Sequence, residues 1–490
     1  MNKKTIFILS FLTIFVISIF SWAAVSINTE ALREAVEVSN ILVHLEEFYD
    51  IGPRPSGTDP YDLAAEYVAE RMEIAGYNVT IQEFTYDFWE ELSDPVLEQT
   101  SPDPTVYPPY DVDGFATMEY SGSGDVEAAV VLADNFGCDA ADFSGKDFSG
   151  KIALIERGVC YFSEKAINAQ SVGAAGAIIF NDAARQDAFL GTLGGAVVNI
   201  PVVGSSYAVG QALAGDGQVV VARMMVDAEL YVNVPTSNVI AETPGGRDDR
   251  VVVVSAHLDS VATGPGINDN GSGAAMILEI AEKMAAIGIE PRNKVRFAWW
   301  GAEESGLIGS QFYVDNLTKR ELKNIALNLN FDMVASPNYV RFVYDGDGSD
   351  TPLAGPNGSK NIEAVFLDYF AGQGLPIEAT AFDGRSDYGP FIDAGIPAGG
   401  LFTGADEIKT EEQAAIYGGA ADEYLDPYYH TEDDDLGNIN QEVLDQMADA
   451  AAHAVMTFAM TTSAVNGTDK GKGIGKWRNA MQYKGPKLQK

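Results

Sequence analysis

Apolar positions along the chain change period twice. Over residues 27–50, Leu32, Ala35, Val36, Ile41, Leu42 and Leu45 recur at three- and four-residue spacing, which predicts an amphipathic helix. Gly52, Pro53, Pro55 and Gly57 end it. A second helix is predicted from about 60 to 75, then an alternating strand over 78–86. Residues 91–114, rich in proline and acid, read as a linker. From about 111 to 225 short apolar runs at 126–132, 151–156, 177–180 and 202–203 read as strands between Gly-rich turns. Beyond 235 the β-branched run 251–255 has the composition of a strand buried on both faces. Further strands are predicted at 295–300, 325–331 and 398–402, alternating with helices at 274–286, 307–314, 361–370 and 441–460. That alternation predicts an α/β fold: a mixed, mostly parallel sheet sandwiched by helices.

The N-terminus departs from this texture. Lys3 and Lys4 precede an apolar run from Ile6 to Phe20, and Ser21, Ala23 and Ala24 follow. The order is that of a secretory signal peptide over 1–24. An uncleaved anchor is the alternative, but the run is about 15 residues, short of the ~20 that span a bilayer, which favours cleavage. The expectation is a secreted chain, extracellular or periplasmic, with no stable membrane anchor. Residues 466–490 form a basic tail expected to be flexible.

Composition narrows the class. The 490 residues carry 31 basic and 71 acidic side chains, a formal net charge of −40. Such a surface does not neutralise phosphates, so nucleic acid is excluded as a partner. With 46% hydrophobic and 21% charged residues the chain builds cores. Between 25 and 466 the balance is 22 basic against 70 acidic, a net of −48, which suggests a solvated surface suited to a saline exterior. Two cysteines, Cys138 and Cys160, cannot make a disulfide scaffold. In an exported chain they are expected to form one disulfide worth about 3 kcal/mol, two reduced buried cysteines being the alternative.

The stretch Gly-Lys-Ile-Ala-Leu-Ile-Glu-Arg-Gly-Val-Cys-Tyr-Phe-Ser-Glu-Lys at 150–165, with Gly-Ala-Ala-Gly-Ala-Ile-Ile-Phe-Asn at 173–181, resembles the protease-associated (PA) domain. The resemblance implies a smaller α+β domain over 111–225, inserted between 25–110 and 226–465. In that family the domain covers or flanks an active site and has no chemistry of its own.

Open α/β sheets bind ligands beyond the carboxyl ends of their strands. There the sequence places His257 and Asp259 after the first strand, Glu303 and Glu304 after the second, and Asp332 after the third. Asp269 lies in the loop before the helix at 274, and Tyr429 and His430 precede the last helix. Imidazole with carboxylate suits zinc, for which cobalt or manganese can substitute. Two histidines and three carboxylates exceed the three protein ligands of one catalytic zinc. They match two metals about 3.5–4 Å apart sharing a carboxylate. A further carboxylate must move protons, and adjacent Glu303 and Glu304 could supply one base and one ligand.

Ala-His-Leu-Asp-Ser (256–260), Gly-Ile-Asn-Asp-Asn-Gly-Ser-Gly (266–273), Ala-Trp-Trp-Gly-Ala-Glu-Glu-Ser-Gly-Leu-Ile-Gly-Ser (298–310), Leu-Asn-Phe-Asp-Met (329–333), Gly-Arg-Ser-Asp-Tyr (384–388) and Tyr-His-Thr-Glu-Asp-Asp (429–434) stand in the order of one family. Together they resemble the co-catalytic di-zinc aminopeptidases of the bacterial leucyl aminopeptidase type, over 25–110 and 226–465. The resemblance implies the zinc-exopeptidase fold and two zinc ions per chain. His257 and Asp332 would bind one zinc, Glu304 and His430 the other, and Asp269 would bridge them. Glu303 would be the general base, acting on a metal-bridged water, and Asp259 would orient His257 from behind. The bond Asp269–Asn270 would be cis, an uncommon state without proline. Tyr429 would hydrogen-bond the developing oxyanion, an ordinary packed tyrosine being the alternative. Arg385 would line the substrate cleft, or else pair with Asp387.

His44 and His453 read as surface or satisfied core residues. The run Asp345-Gly-Asp347-Gly-Ser349-Asp350 hints at Ca²⁺, but lacks the distal glutamate spacing and reads better as an acidic turn. The expected activity is release of N-terminal residues from peptides with a free N-terminus. Related di-zinc carboxypeptidases and dipeptidases gather arginines for a substrate carboxylate, and Arg385 is the one candidate here. Glutaminyl-cyclase relatives keep one zinc. A non-catalytic receptor would lack ligands, and none is missing.

Overall fold

The structure is a computed structural model that describes residues 27–466. The expected signal peptide, and the basic tail beyond Asn466, lie outside the described residues. At the centre four parallel strands run in the order Asn293–Trp300, Arg247–His257, Ile325–Phe331, Ala398–Phe402. Antiparallel Phe342–Tyr344 follows Ala398–Phe402, with Glu378–Thr380 outside it, and antiparallel Val221–Glu242 flanks the other side. The β-branched run behaves as its composition requires. Val252, Val254 and Ala256 enter one core while Val251 and Val253 enter the other. The first core is closed by the helices Val38–Ile51, Gly273–Ala286 and Gln441–Met460, through residues such as Leu45, Met276 and Val455. The second is closed by Ile308–Asp315 and Tyr388–Asp393, where Tyr313 and Phe391 pack on Trp300.

The PA part continues the same sheet. Val221–Glu242 pairs along its whole length with Asn78–Ser101, with Asn293–Trp300 near its end, and with Gly124–Leu132 near its start. Beyond it, Gly124–Leu132, Ile152–Glu156, Gly176–Phe180 and Val202–Ser205 are parallel. Ala153 and Ile155 face one apolar cluster, Ile152 and Leu154 the other. Cys138 and Cys160 are joined by a disulfide.

Three local readings change. Residues 91–101 are not linker: they extend the strand to Ser101, and Leu97–Gln99 pair back with Thr105–Tyr107. Register shifts between Glu91 and Ser93 and between Ser93 and Val96 interrupt the alternation, which hides the strand from a period-two reading. The helix expected over 27–50 is two, Glu30–Arg33 and Val38–Ile51, separated where Glu37 is extended. The expected boundary at 225 falls inside the strand Val221–Glu242. Among the described residues no helix is long and apolar enough to cross a membrane.

Candidate active site

The carboxyl ends of the three central parallel strands deliver His257, Glu303 with Glu304, and Asp332 to one edge of the sheet. Asp269 comes from the turn ahead of the helix Gly273–Ala286, and His430 from the loop before the last helix. Asp269 Oδ1 lies 3.2 Å from His257 Nε2, and Oδ2 lies 3.1 Å from His430 Nε2. His257 Nε2 is also 3.3 Å from Asp332 Oδ1, and His430 Nε2 is 3.1 Å from Glu304 Oε2. The carboxylate of Glu303 joins His257 and Asp332, so all six side chains converge. The Asp269–Asn270 bond is cis.

Main-chain bonds hold this arrangement. The Asp259 carboxylate accepts the amides of Glu303 and Glu304 at 3.2 and 3.3 Å. Its approach to His257 Nδ1 is closest through its carbonyl oxygen, 3.1 Å, with the carboxylate at 3.7 Å. Asp434 accepts the amides of Asn268 and Asp269 at 2.7 and 3.0 Å. Ser386 Oγ donates to Asp332 Oδ2 at 2.5 Å. Ser386 and Asp434 stand inside quoted motifs, yet their partners are set by loops far apart in sequence, so no spacing marks them.

Burial dominates the electrostatics. It pushes the Glu303 carboxyl well above the usual range, with Asp387, Glu304 and Asp332 adding to the rise and His257 opposing it. Glu304 is raised by burial too. Burial would also raise Asp269, but its two imidazole partners outweigh that and hold it well below. Burial lowers His430, yet Glu304 and Asp269 carry it up to about 10. Two imidazoles held among buried acids are a donor set that attracts cations. His430 Nε2 and Glu304 Oε1, both buried, make no aligned hydrogen bond. Nitrogen and carboxylate donors converging on such atoms fit zinc.

Tyr429 stacks on His430 with ring centroids 3.8 Å apart, and its hydroxyl lies 3.5 Å from Arg385 Nη2. Arg385 lines the cleft and pairs with Asp406 at 2.9 Å, not with Asp387. Asp387 is fully buried, and burial raises its carboxyl to about 8. The other histidines have partners: His44 Nδ1 meets Tyr67 Oη at 2.7 Å and His453 Nδ1 meets Thr29 Oγ1 at 2.8 Å. His44 also lies near Glu279 and Glu282, but Arg71 forks onto Glu282 and Lys283 is 3.6 Å from Glu279, which balances those charges. The Asp345 carboxylate accepts the amides of Gly348, Asp350 and Thr351, the geometry of an acidic turn.

Two family models match the sequence: peptidase family M28 over residues 238–455 and the PA domain over 126–213. An aminopeptidase of Pseudomonas aeruginosa is 42% identical over 454 residues, spanning 89% of this chain and 83% of the relative. Leucine aminopeptidase 2 of Trichophyton tonsurans is 40% identical, over 88% and 86%. The chain belongs to peptidase family M28. Among solved structures, the aminopeptidase from Aneurinibacillus sp. strain AM-1 matches with TM-score 0.71 at 28% identity, covering 87% of this chain and 95% of that one. A zinc aminopeptidase of Bacillus subtilis matches at 0.60 and 28%, covering 86% and 94%. This M28 peptidase is therefore an enzyme, an aminopeptidase that carries a PA domain in its chain.

Proposed function

We propose that the chain is a secreted aminopeptidase that releases N-terminal residues from peptides, using two zinc ions. The observation that carries this reading is the division of the Asp269 carboxylate between His257 and His430. His257 and Asp332 would hold one ion and Glu304 and His430 the other, with Asp269 contributing to both. Zinc, when bound, polarises the scissile carbonyl and makes water acidic enough to attack near neutral pH. Glu303, buried beside His257 and Asp332, takes the proton of the attacking water and passes it to the leaving amine. Tyr429 donates its hydroxyl proton toward the developing oxyanion, and Arg385 with Asp406 sets the side of the cleft from which Tyr429 reaches. The substrate's free amino group, a cation, sits among Glu303, Asp332 and the acids of the rim. Asp259 holds the Glu303–Glu304 turn and the carbonyl side of His257.

Residues 1–24 direct export, residues 25–110 and 226–465 form the peptidase, and residues 111–225 form the PA insert, with the strand Val221–Glu242 running across the second boundary. Hydrolysis of leucine-p-nitroanilide, lost with a chelator and restored by zinc, tests the activity. Two zinc equivalents per chain test the metal count; one equivalent, or activity that survives full chelation, overturns this reading.

A further inference from the structure

Arg54 lies outside the cleft, in the Gly-Pro-Arg-Pro segment that the sequence shows only as a helix breaker. It is 0% exposed. Its guanidinium binds main-chain carbonyls: Nε donates to Leu258 O at 3.2 Å, Nη2 to Gly266 O at 3.1 Å, and Nη1 to Pro265 O. Nη1 also reaches the carbonyls of Phe48 and Gly52 at 3.4 Å, and the group lies over the Phe48 ring. The Arg54 backbone is fixed as well, its amide donating to Ser260 Oγ and its carbonyl accepting from Ser260 N.

Leu258 is the residue after His257. Gly266 is three residues before Asp269, and its carbonyl also accepts the amide of Gly271. One planar group therefore grips both ends of the loop between His257 and Asp269. Its N–H directions are fixed, so it sets the separation of those ends rather than merely attracting them. A buried guanidinium is costly unless its hydrogen bonds are made. Here they are spent on this loop, and the acids Asp434, Asp259, Asp269 and Glu304 supply the compensating field.

We propose that Arg54 is a positioning residue for the metal centre: it clamps both ends of the 258–266 loop and so fixes His257 relative to Asp269. The proposal rests on His257 and Asp269 being zinc ligands. The test uses the full chain with Arg54→Lys, Arg54→Gln and His257→Ala, measuring zinc affinity by competition with a chromophoric chelator, kcat and KM, and the melting temperature of the metal-free protein. Lysine keeps the buried charge but cannot bridge both loop ends. Both Arg54 variants should lose zinc affinity by about 10–100-fold, the range for groups that orient ligands. kcat should fall with KM nearly constant. Wild-type zinc affinity in Arg54→Lys, beside lost zinc in His257→Ala, overturns the clamp. A lower melting temperature alone would mark a scaffold role and overturns it too. Unchanged zinc affinity in His257→Ala overturns the ligand assignment beneath it.

Discussion

Asp269 faces His257 with one carboxylate oxygen at 3.2 Å and His430 with the other at 3.1 Å. A carboxylate placed this way can serve two cations, and its loss should be felt at both. Asp269→Asn keeps the shape but removes the negative charge and one of the two oxygen donors. Zinc per chain, measured by atomic emission after dialysis, should fall below one. His430→Ala should leave about one, because His257 and Asp332 remain. Two retained equivalents in either variant would contradict the assignment.

Glu303 is buried at the end of the strand Asn293–Trp300 and its amide is held by Asp259. Glu303→Gln should lower kcat by about 10²–10⁴-fold, the usual worth of a positioned general base. Zinc content should stay at the wild-type value. Asp259→Asn should cost less, about 10–100-fold, because it acts through the turn it holds. A Glu303→Gln enzyme with normal kcat would remove this residue from proton transfer.

Much of this was legible in the sequence, for identifiable reasons. The strand Arg247–His257 announces itself because both faces are buried, so Val251–Val254 need no alternation. His257, Glu303, Glu304 and Asp332 follow strand ends, where topology alone gathers them, while Asp269 and His430 come from loops and are marked by their motifs. Arg54, Ser386 and Asp434 were not legible in the same way. Each works by a bond to a main-chain or side-chain atom more than fifty residues away. The strand through 91–101 was hidden by its bulges, and Arg385 pairs with Asp406 because the loop after Phe402 returns to it, not because of its neighbour Asp387.

Tyr429 is fixed by stacking on His430 and by its approach to Arg385, so it is held before substrate arrives. Tyr429→Phe removes only the hydroxyl. If that group donates to the oxyanion, kcat should fall by roughly 10²-fold with little change in KM or zinc content. Equal losses in kcat and zinc would instead make it a support for His430.

His44 gives the fold a pH dependence separate from the metal site. Burial lowers its pKa from 6.5 to about 4, with Arg71 and Lys283 assisting and Glu282 opposing. The folded chain therefore keeps His44 neutral while the unfolded chain takes up a proton below pH 6.5. Stability is full above 6.5 and is lost as pH falls toward 4, by about 3 kcal/mol in total. Urea unfolding at fixed zinc should show this slope in the wild type and a shallower one in His44→Gln. Parallel slopes would show that His44 does not titrate differently on folding.

The acidic surface makes the last prediction. Between residues 25 and 466 there are 70 acidic and 22 basic side chains, so most acids have no cation to pair with. Self-repulsion of that kind is screened by salt, since the Debye length shrinks from about 10 Å at 0.1 M to about 3 Å at 1 M. Salt also weakens exposed pairs such as Arg247–Asp249, but those are worth little singly. Relief of repulsion should win. The melting temperature should rise by roughly a few degrees between 0.05 and 1 M sodium chloride, with activity retained. A falling melting temperature, or precipitation at molar salt, would show that repulsion among these acids does not govern the surface.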